Sequence, residues 1–208
     1  MINYNFVDYA LGIGMRNILT RYCRDNYIFK LFDTHGFSFD IETIDEVNAS
    51  ADLLLVGGGG LIHEFRGKWL FDLPDILIPR LEVPVIFYGL GYNAFPGQPD
   101  ISRKIITNIK RLQEKAISFS VRDDGSKERL AKVGIEVPDV PDPGFFVDTC
   151  YPRPSIDGRY VVIQLANDMK KYRGFEDNAL LRGIQKIVEF LIKRNYKVVL
   201  APHVRVDI

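Results

Sequence analysis

Apolar residues recur along the chain at two spacings, one typical of amphipathic helices and one typical of short buried strands. Residues 8–23 have the helical spacing, and their apolar positions share one face: Leu11, Met15, Ile18, Leu19 and Tyr22. The same spacing predicts helices at 43–48, 101–115, 126–133 and 178–194, with a proline-interrupted helical segment at 69–81. Short apolar runs predict strands at 27–32, 52–56, 84–91, 116–121, 137–140, 159–166 and 197–201.

Strands and helices alternate three or four times before residue 150, which predicts a parallel sheet covered on both faces by helices. We therefore expect an α/β fold with a Rossmann-like N-terminal domain over residues 1–150 and a Pro- and Gly-rich linker over 151–158. A doubly wound domain begins with a strand, whereas the first predicted element here is a helix.

Residues 159–208 contain a single strand–helix–strand unit, which cannot bury its own apolar faces. The unit either docks as an extra layer on the first domain or begins a second Rossmann-like domain that is truncated, and we favour the second interpretation. Sheet edges left open by such a truncation predict self-association into a homo-oligomer.

Four consecutive glycines, Gly57, Gly58, Gly59 and Gly60, directly follow the predicted strand at 52–56. Open α/β sheets bind ligands beyond the carboxyl ends of their strands, and glycine lets a ligand approach the main chain closely. The alternative is a strand-to-helix turn that needs positive φ. Because four glycines exceed what one turn requires, we expect a ligand-binding loop.

The handedness of parallel crossovers places the loops that follow the strands on one rim of the sheet. That rim is expected to carry residues 57–60, 89–93 and 122–126 together with Asp142, and Asn93 begins a polar loop suited to lining a cleft. Arg122 lies where a strand ends and a helix begins, which suits a carboxylate or phosphate ligand. Ser126 would cap the helix or bind the same anion.

The alternative for Arg122 is a surface pair with Asp123 or Asp124, with Ser126 as a plain N-cap. Asp142 either orients an arginine of the rim or shapes its own turn. His203 closes the last predicted strand and is the candidate proton donor near neutral pH. His63, Arg66 and Lys68 are weaker candidates, and His35 is expected to be structural.

Charge and composition narrow the function classes. Lys plus Arg (27) equals Asp plus Glu (27), so no overall field favours nucleic acid or a membrane, and an anionic ligand needs a local cluster. Cys23 and Cys150 form no zinc pattern. No apolar window approaches the roughly 20 residues of a membrane span, and no signal peptide is recognisable, which predicts a cytoplasmic protein.

Four motifs in order resemble the polysaccharide pyruvyl transferase family: D-L-L-L-V-G-G-G-G-L from residue 52, P-V-I-F-Y-G-L-G from 84, S-V-R-D-D-G-S from 120 and A-P-H from 201. The resemblance implies two Rossmann-like domains in a GT-B-type arrangement. It also implies transfer of the enolpyruvyl unit of phosphoenolpyruvate onto two hydroxyls of a sugar, which forms a ketal on a cell-surface polysaccharide precursor without a metal or cofactor.

By this resemblance, Arg122 and His203 are catalytic residues near phosphoenolpyruvate, and the helix that contains Asp8 matches the family's N-terminal motif. The expected substrate-binding residues are Asp8, Gly57, Gly58, Gly59, Gly60, Asn93, Arg122 and Ser126. We expect a pyruvyl transferase or an incomplete, inactive version of one. A GT-B-type glycosyltransferase that uses a nucleotide sugar and a non-catalytic binding or assembly module are the alternatives.

Overall fold

The computed structural model describes residues 6–23, 26–32, 39–64, 71, 74, 76–93, 100–148, 155–165 and 177–202. The chain divides into two compact units, one formed by residues 10–94 and 98–147 and the other mainly by 148–208. Among the described residues, no helix is both long and apolar enough to cross a membrane.

The larger unit contains a four-stranded, wholly parallel sheet. Its strands are β1 (Leu54–Gly57), β2 (Val85–Leu90), β3 (Ser118–Arg122) and β4 (Asp139–Val140), and they lie side by side in that order. The helices are α1 (Phe6–Tyr22), α2 (Ile41–Ser50), α3 (Arg103–Lys115) and α4 (Ser126–Ala131), and a 3₁₀ turn spans Pro143–Phe146. The predicted α/β fold with a parallel sheet is therefore confirmed.

The core lies between the sheet and its helices and is dominated by aromatic and branched side chains. Phe87 of β2 packs against Phe119 of β3 with ring centroids 4.8 Å apart, and Phe71 lies 5.8 Å from Phe87. Ile109 of α3 is fully buried against this cluster. Ser102 caps α3 by accepting a hydrogen bond from the Ile105 amide.

Two local predictions differ from the structure. Residues 27–32 were predicted to form a strand, but 26–32 pair with no strand among the described residues, and Ile28 and Leu31 are largely exposed. An apolar run becomes a strand only where a neighbouring strand takes up its hydrogen bonds. The described part of 69–81 contains turns at 76–80 and no α-helix, in keeping with Pro74 and Pro79.

The smaller unit contains β5 (Tyr160–Leu165), α5 (Asp177–Ile192) and β6 (Lys197–Pro202). The two strands pair in parallel along their whole length, from Tyr160 opposite Lys197 to Leu165 opposite Pro202. This is the strand–helix–strand unit that the sequence predicts. Several of its apolar side chains are more than half exposed, among them Leu181, Ile187 and Leu200. The domain boundaries and the GT-B-type arrangement stay predictions.

Candidate functional site at the carboxyl edge of the parallel sheet

The glycine run bends sharply where β1 ends. Gly58 and Gly59 have φ values of +73° and +77°, a backbone region that other residues rarely adopt. A Cβ atom at Gly57 would lie 2.8 Å from Met15 Cε, and one at Gly58 would lie 2.9 Å from Leu11 Cβ. The first half of the run therefore lets α1 approach the end of β1 closely, and the predicted need for positive φ is real at two positions.

The second half of the run leaves main-chain donors available. The Gly58 amide donates to the Tyr88 carbonyl (3.1 Å), and the Gly59 carbonyl accepts from the amides of Leu61 (3.0 Å) and Gly91 (2.8 Å). The amides of Gly59 and Gly60 donate to no residue that the structure describes. Both residues are partly exposed.

The loop after β2 runs beside this bend and extends the parallel pairing beyond the sheet. The Ile62 amide donates to the Gly91 carbonyl (3.0 Å), and the Asn93 amide donates to the Ile62 carbonyl (2.7 Å). The Asn93 side chain packs onto Gly60, where a Cβ atom would lie 2.9 Å from Nδ2. Asn93 therefore places a side-chain amide beside the Gly60 main chain.

Arg122, the last residue of β3, joins the same edge. Its guanidinium lies flat against Gly91, where a Cβ atom would be 2.6 Å from both Nε and Nη2. Gly91 in turn bonds to Gly59. The structure thus brings together the glycine bend, Asn93 and Arg122, three features of the predicted substrate-binding set.

Two carboxylates hold the Arg122 guanidinium. Nε donates to Asp124 Oδ2, and Nη1 donates to Asp142 Oδ2 at 3.5 Å. Nη2 makes no hydrogen bond to any described residue. The Arg122–Asp124 pair of the alternative interpretation is present, but Asp142 joins it, and Nη2 is left as the nitrogen that a ligand can use.

Ser126 is almost fully buried, with 1% of its surface exposed. Its hydroxyl donates to Asp124 Oδ1 and accepts from the Tyr92 amide (2.7 Å), so it ties the β3–α4 loop to the loop after β2. Gly125, rather than Ser126, is the N-cap of α4, and Asp124 accepts from the Ser126 amide at 3.1 Å. Direct binding of an anion by Ser126 stays a prediction.

The side chains of Tyr92 and Glu64 each accept a main-chain hydrogen bond from the segment at the start of α3. Tyr92 Oη accepts from the Ile101 amide (3.1 Å), and burial raises the pKa of this phenol. Glu64 accepts from the Ser102 amide at the start of α3, where a helix favours negative charge. His63 is half-buried, and its burial lowers the pKa of the imidazole, an effect that Glu64 opposes.

The remaining predicted residues are less fully described. Asp8 lies in α1, but its side chain is outside the described part of the structure. His203, together with His35, Arg66 and Lys68, lies outside the described residues. The described part of the candidate site therefore consists of the donors at the carboxyl edge of the sheet in the larger unit.

The class of protein is α/β with a parallel sheet, and main-chain amides of the glycine bend and an arginine lie at the carboxyl edge of that sheet. A family model described as polysaccharide pyruvyl transferase matches residues 3–208, nearly the whole chain. The chain belongs to the polysaccharide pyruvyl transferase family, which indicates a transferase with a saccharide acceptor. No curated protein and no solved structure matches the chain.

Proposed function

We propose that this protein transfers the enolpyruvyl unit of phosphoenolpyruvate to two hydroxyls of a saccharide, which forms a cyclic ketal. The observation that carries the proposal is that Gly91 donates a hydrogen bond to Gly59 of the glycine bend and also contacts the Arg122 guanidinium, in a member of this family. Phosphoenolpyruvate carries a phosphate and a carboxylate, and the edge offers two separate kinds of donor for them.

Main-chain amides at a glycine bend suit the phosphate, because a phosphate oxygen needs donors that no Cβ atom shields. Arg122 Nη2 would take the carboxylate, and the Asn93 amide is placed to add a neutral donor. Asp124 and Asp142 make the cluster around Arg122 net negative, so directed hydrogen bonds rather than bulk charge must hold the ligand.

The reaction balances in its protons and bonds. A proton added to the methylene carbon of phosphoenolpyruvate makes a methyl group and leaves an oxocarbenium-like carbon. One sugar hydroxyl attacks that carbon and loses its proton. A second hydroxyl then displaces phosphate and gives up its own proton to it, so the leaving group departs as hydrogen phosphate. His203 is the proposed proton donor, a role typically worth about 10²–10⁴-fold.

The same proposal assigns the acceptor to a precursor of a cell-surface polysaccharide in the cytoplasm. The resemblance of the motifs and the family match support this assignment. The family match does not favour a nucleotide-sugar glycosyltransferase or a non-catalytic module.

Calorimetric titration of phosphoenolpyruvate into the full chain and into Arg122→Ala tests the proposal. Loss of a charge-assisted hydrogen bond is expected to weaken binding by about 10- to 100-fold. The matched control is Arg80→Ala, which removes an exposed arginine paired with Asp45 (3.3 Å). Binding of UDP-sugars in place of phosphoenolpyruvate, or equal affinity in Arg122→Ala and the unchanged chain, would contradict the proposal.

A further inference from the structure

The carboxylate of Asp142, at the start of a 3₁₀ turn, makes contacts through both of its oxygens. Asp142 Oδ1 accepts from the Gly144 amide (2.8 Å) and so caps the 3₁₀ turn Pro143–Phe146. Its other carboxylate oxygen, Oδ2, accepts from Arg122 Nη1 (3.5 Å). One side chain therefore stabilises its own turn and contacts the arginine of the site.

The turn itself is held from two sides. On the α1 side, Gly14 leaves no room for a Cβ atom against the Pro143 carbonyl group, and Asn17 Nδ2 donates to the Phe146 carbonyl (2.8 Å). On the β2 side, a Cβ atom at Gly89 would lie 3.2 Å from Pro143 Cδ. Packing against two elements gives Asp142 a defined position relative to the sheet.

We propose that Asp142 is a positioning residue that orients the Arg122 guanidinium for the anionic ligand, an inference that rests on the proposed function. Asp124 binds Nε and Asp142 binds Nη1, so the planar group is held at two different nitrogens. One contact alone would hold the guanidinium less firmly, and an arginine side chain has rotamer entropy to lose when it is ordered. The two contacts together leave Nη2 to the ligand.

Two effects of Asp142 on ligand affinity have opposite signs, which makes the inference testable. As a negative charge beside an anion site, Asp142 weakens anion binding, so its neutralisation alone would tighten binding. As a positioning residue it strengthens binding, so its loss weakens binding. The sign of the change in affinity decides between the two.

Asp142→Asn is the variant to use, because the asparagine Oδ1 can still accept from the Gly144 amide while its side chain no longer offers Arg122 a charged acceptor. Asp139→Asn is the matched control, since it neutralises an aspartate of β4 that pairs with Lys127 (2.8 Å) and not with Arg122. Phosphoenolpyruvate affinity is measured by calorimetry on the full chain, and thermal unfolding of each variant checks that the fold is kept.

We expect Asp142→Asn to weaken phosphoenolpyruvate binding by about tenfold and Asp139→Asn to leave it unchanged. In an Arg122→Ala background, Asp142→Asn should cause no further loss, because the positioned group is gone. Tighter or unchanged binding in Asp142→Asn, or the same loss with and without Arg122, would overturn the inference. If the unchanged chain fails to bind phosphoenolpyruvate, the proposed function fails instead.

Discussion

Gly12 and Gly14 lie two residues apart in α1, and the structure predicts opposite effects when each is replaced by alanine. A Cβ atom at Gly12 would have its nearest neighbour, Leu31 Cδ1, at 3.9 Å, which is an ordinary contact. A Cβ atom at Gly14 would overlap the Pro143 carbonyl oxygen and lie 2.6 Å from the carbonyl carbon. Helix propensity favours both changes, whereas packing opposes only the second.

The magnitudes follow from these contacts. Replacing glycine by alanine inside a helix gains about 1 kcal/mol, so Gly12→Ala should stabilise the protein by up to that amount. In Gly14→Ala, α1 and the 3₁₀ turn must separate by about 1 Å or more, which costs about 1–3 kcal/mol as overpacking. The separation also strains the hydrogen bond from Asn17 to Phe146, worth about 0.5–1.5 kcal/mol.

Urea unfolding followed by circular dichroism measures the difference between the two variants. We expect Gly12→Ala to exceed Gly14→Ala in the free energy of unfolding by at least about 1.5 kcal/mol, or roughly 3–6 °C in Tm. Equal stabilities, or a more stable Gly14→Ala, would show that α1 does not pack against the Pro143 carbonyl group and would refute the reasoning.

Three further substitutions test the surroundings of the site. Gly91→Ala should push the Arg122 guanidinium out of place and weaken phosphoenolpyruvate binding by about tenfold in calorimetry, with little effect on Tm because a flexible side chain can move aside. Tyr92→Phe leaves the buried Ile101 amide without its acceptor and should cost about 1–3 kcal/mol at pH 8 in urea unfolding. Burial raises the pKa of Tyr92 above its ordinary 10.0, so the stability that the neutral phenol contributes is lost as pH rises above 10, and the deficit of Tyr92→Phe should shrink there. Burial lowers the pKa of His63 below 6.5, so the stability that the neutral imidazole contributes is present above pH 6.5 and is lost as the pH falls. His63→Gln should therefore lose less stability than the unchanged chain between pH 7.5 and pH 5.

Each of these expectations has a clear contrary result. A Gly91→Ala variant that binds phosphoenolpyruvate normally would show that the contact of Gly91 with the Arg122 guanidinium does not matter for ligand binding. A constant deficit of Tyr92→Phe from pH 8 to pH 11 would mean that its phenol titrates alike in the folded and unfolded chain. If the free energy of unfolding of His63→Gln and that of the unchanged chain vary with pH in the same way, the imidazole titrates alike in the folded and unfolded chain.

Much of the fold follows from local pattern in the sequence. The run that became β2 is apolar over its whole length, as a buried parallel strand requires, and the order of the four strands along the chain matches their order in the sheet. The run at 27–32 is apolar at five of its six positions but forms no strand in the structure. Strand formation there depends on a neighbour, and a local pattern carries no information about neighbours.

The site was predictable in its location but not in its packing. The ends of β1 and β3 identify the glycine run and Arg122, and crossover handedness places them on one edge. The sequence does not show that Gly57 and Gly58 serve the close approach of α1, or that Gly14 in α1 contacts the turn after Asp142. Such contacts join residues far apart in the chain, and glycine gives the same local signal for a ligand as for a packed helix.

The central claim is that the amides of Gly59 and Gly60 bind phosphoenolpyruvate next to Arg122. Labelling the glycines with ¹⁵N and titrating phosphoenolpyruvate while the amide resonances are recorded tests it directly, because the 17 glycines include both donors and references away from the rim such as Gly134, which follows the C-terminal end of α4. The account predicts saturable shifts of the Gly59 and Gly60 resonances that need about 10- to 100-fold more phosphoenolpyruvate in Arg122→Ala, with Gly134 unmoved. Saturable binding that leaves Gly59 and Gly60 unchanged would contradict it.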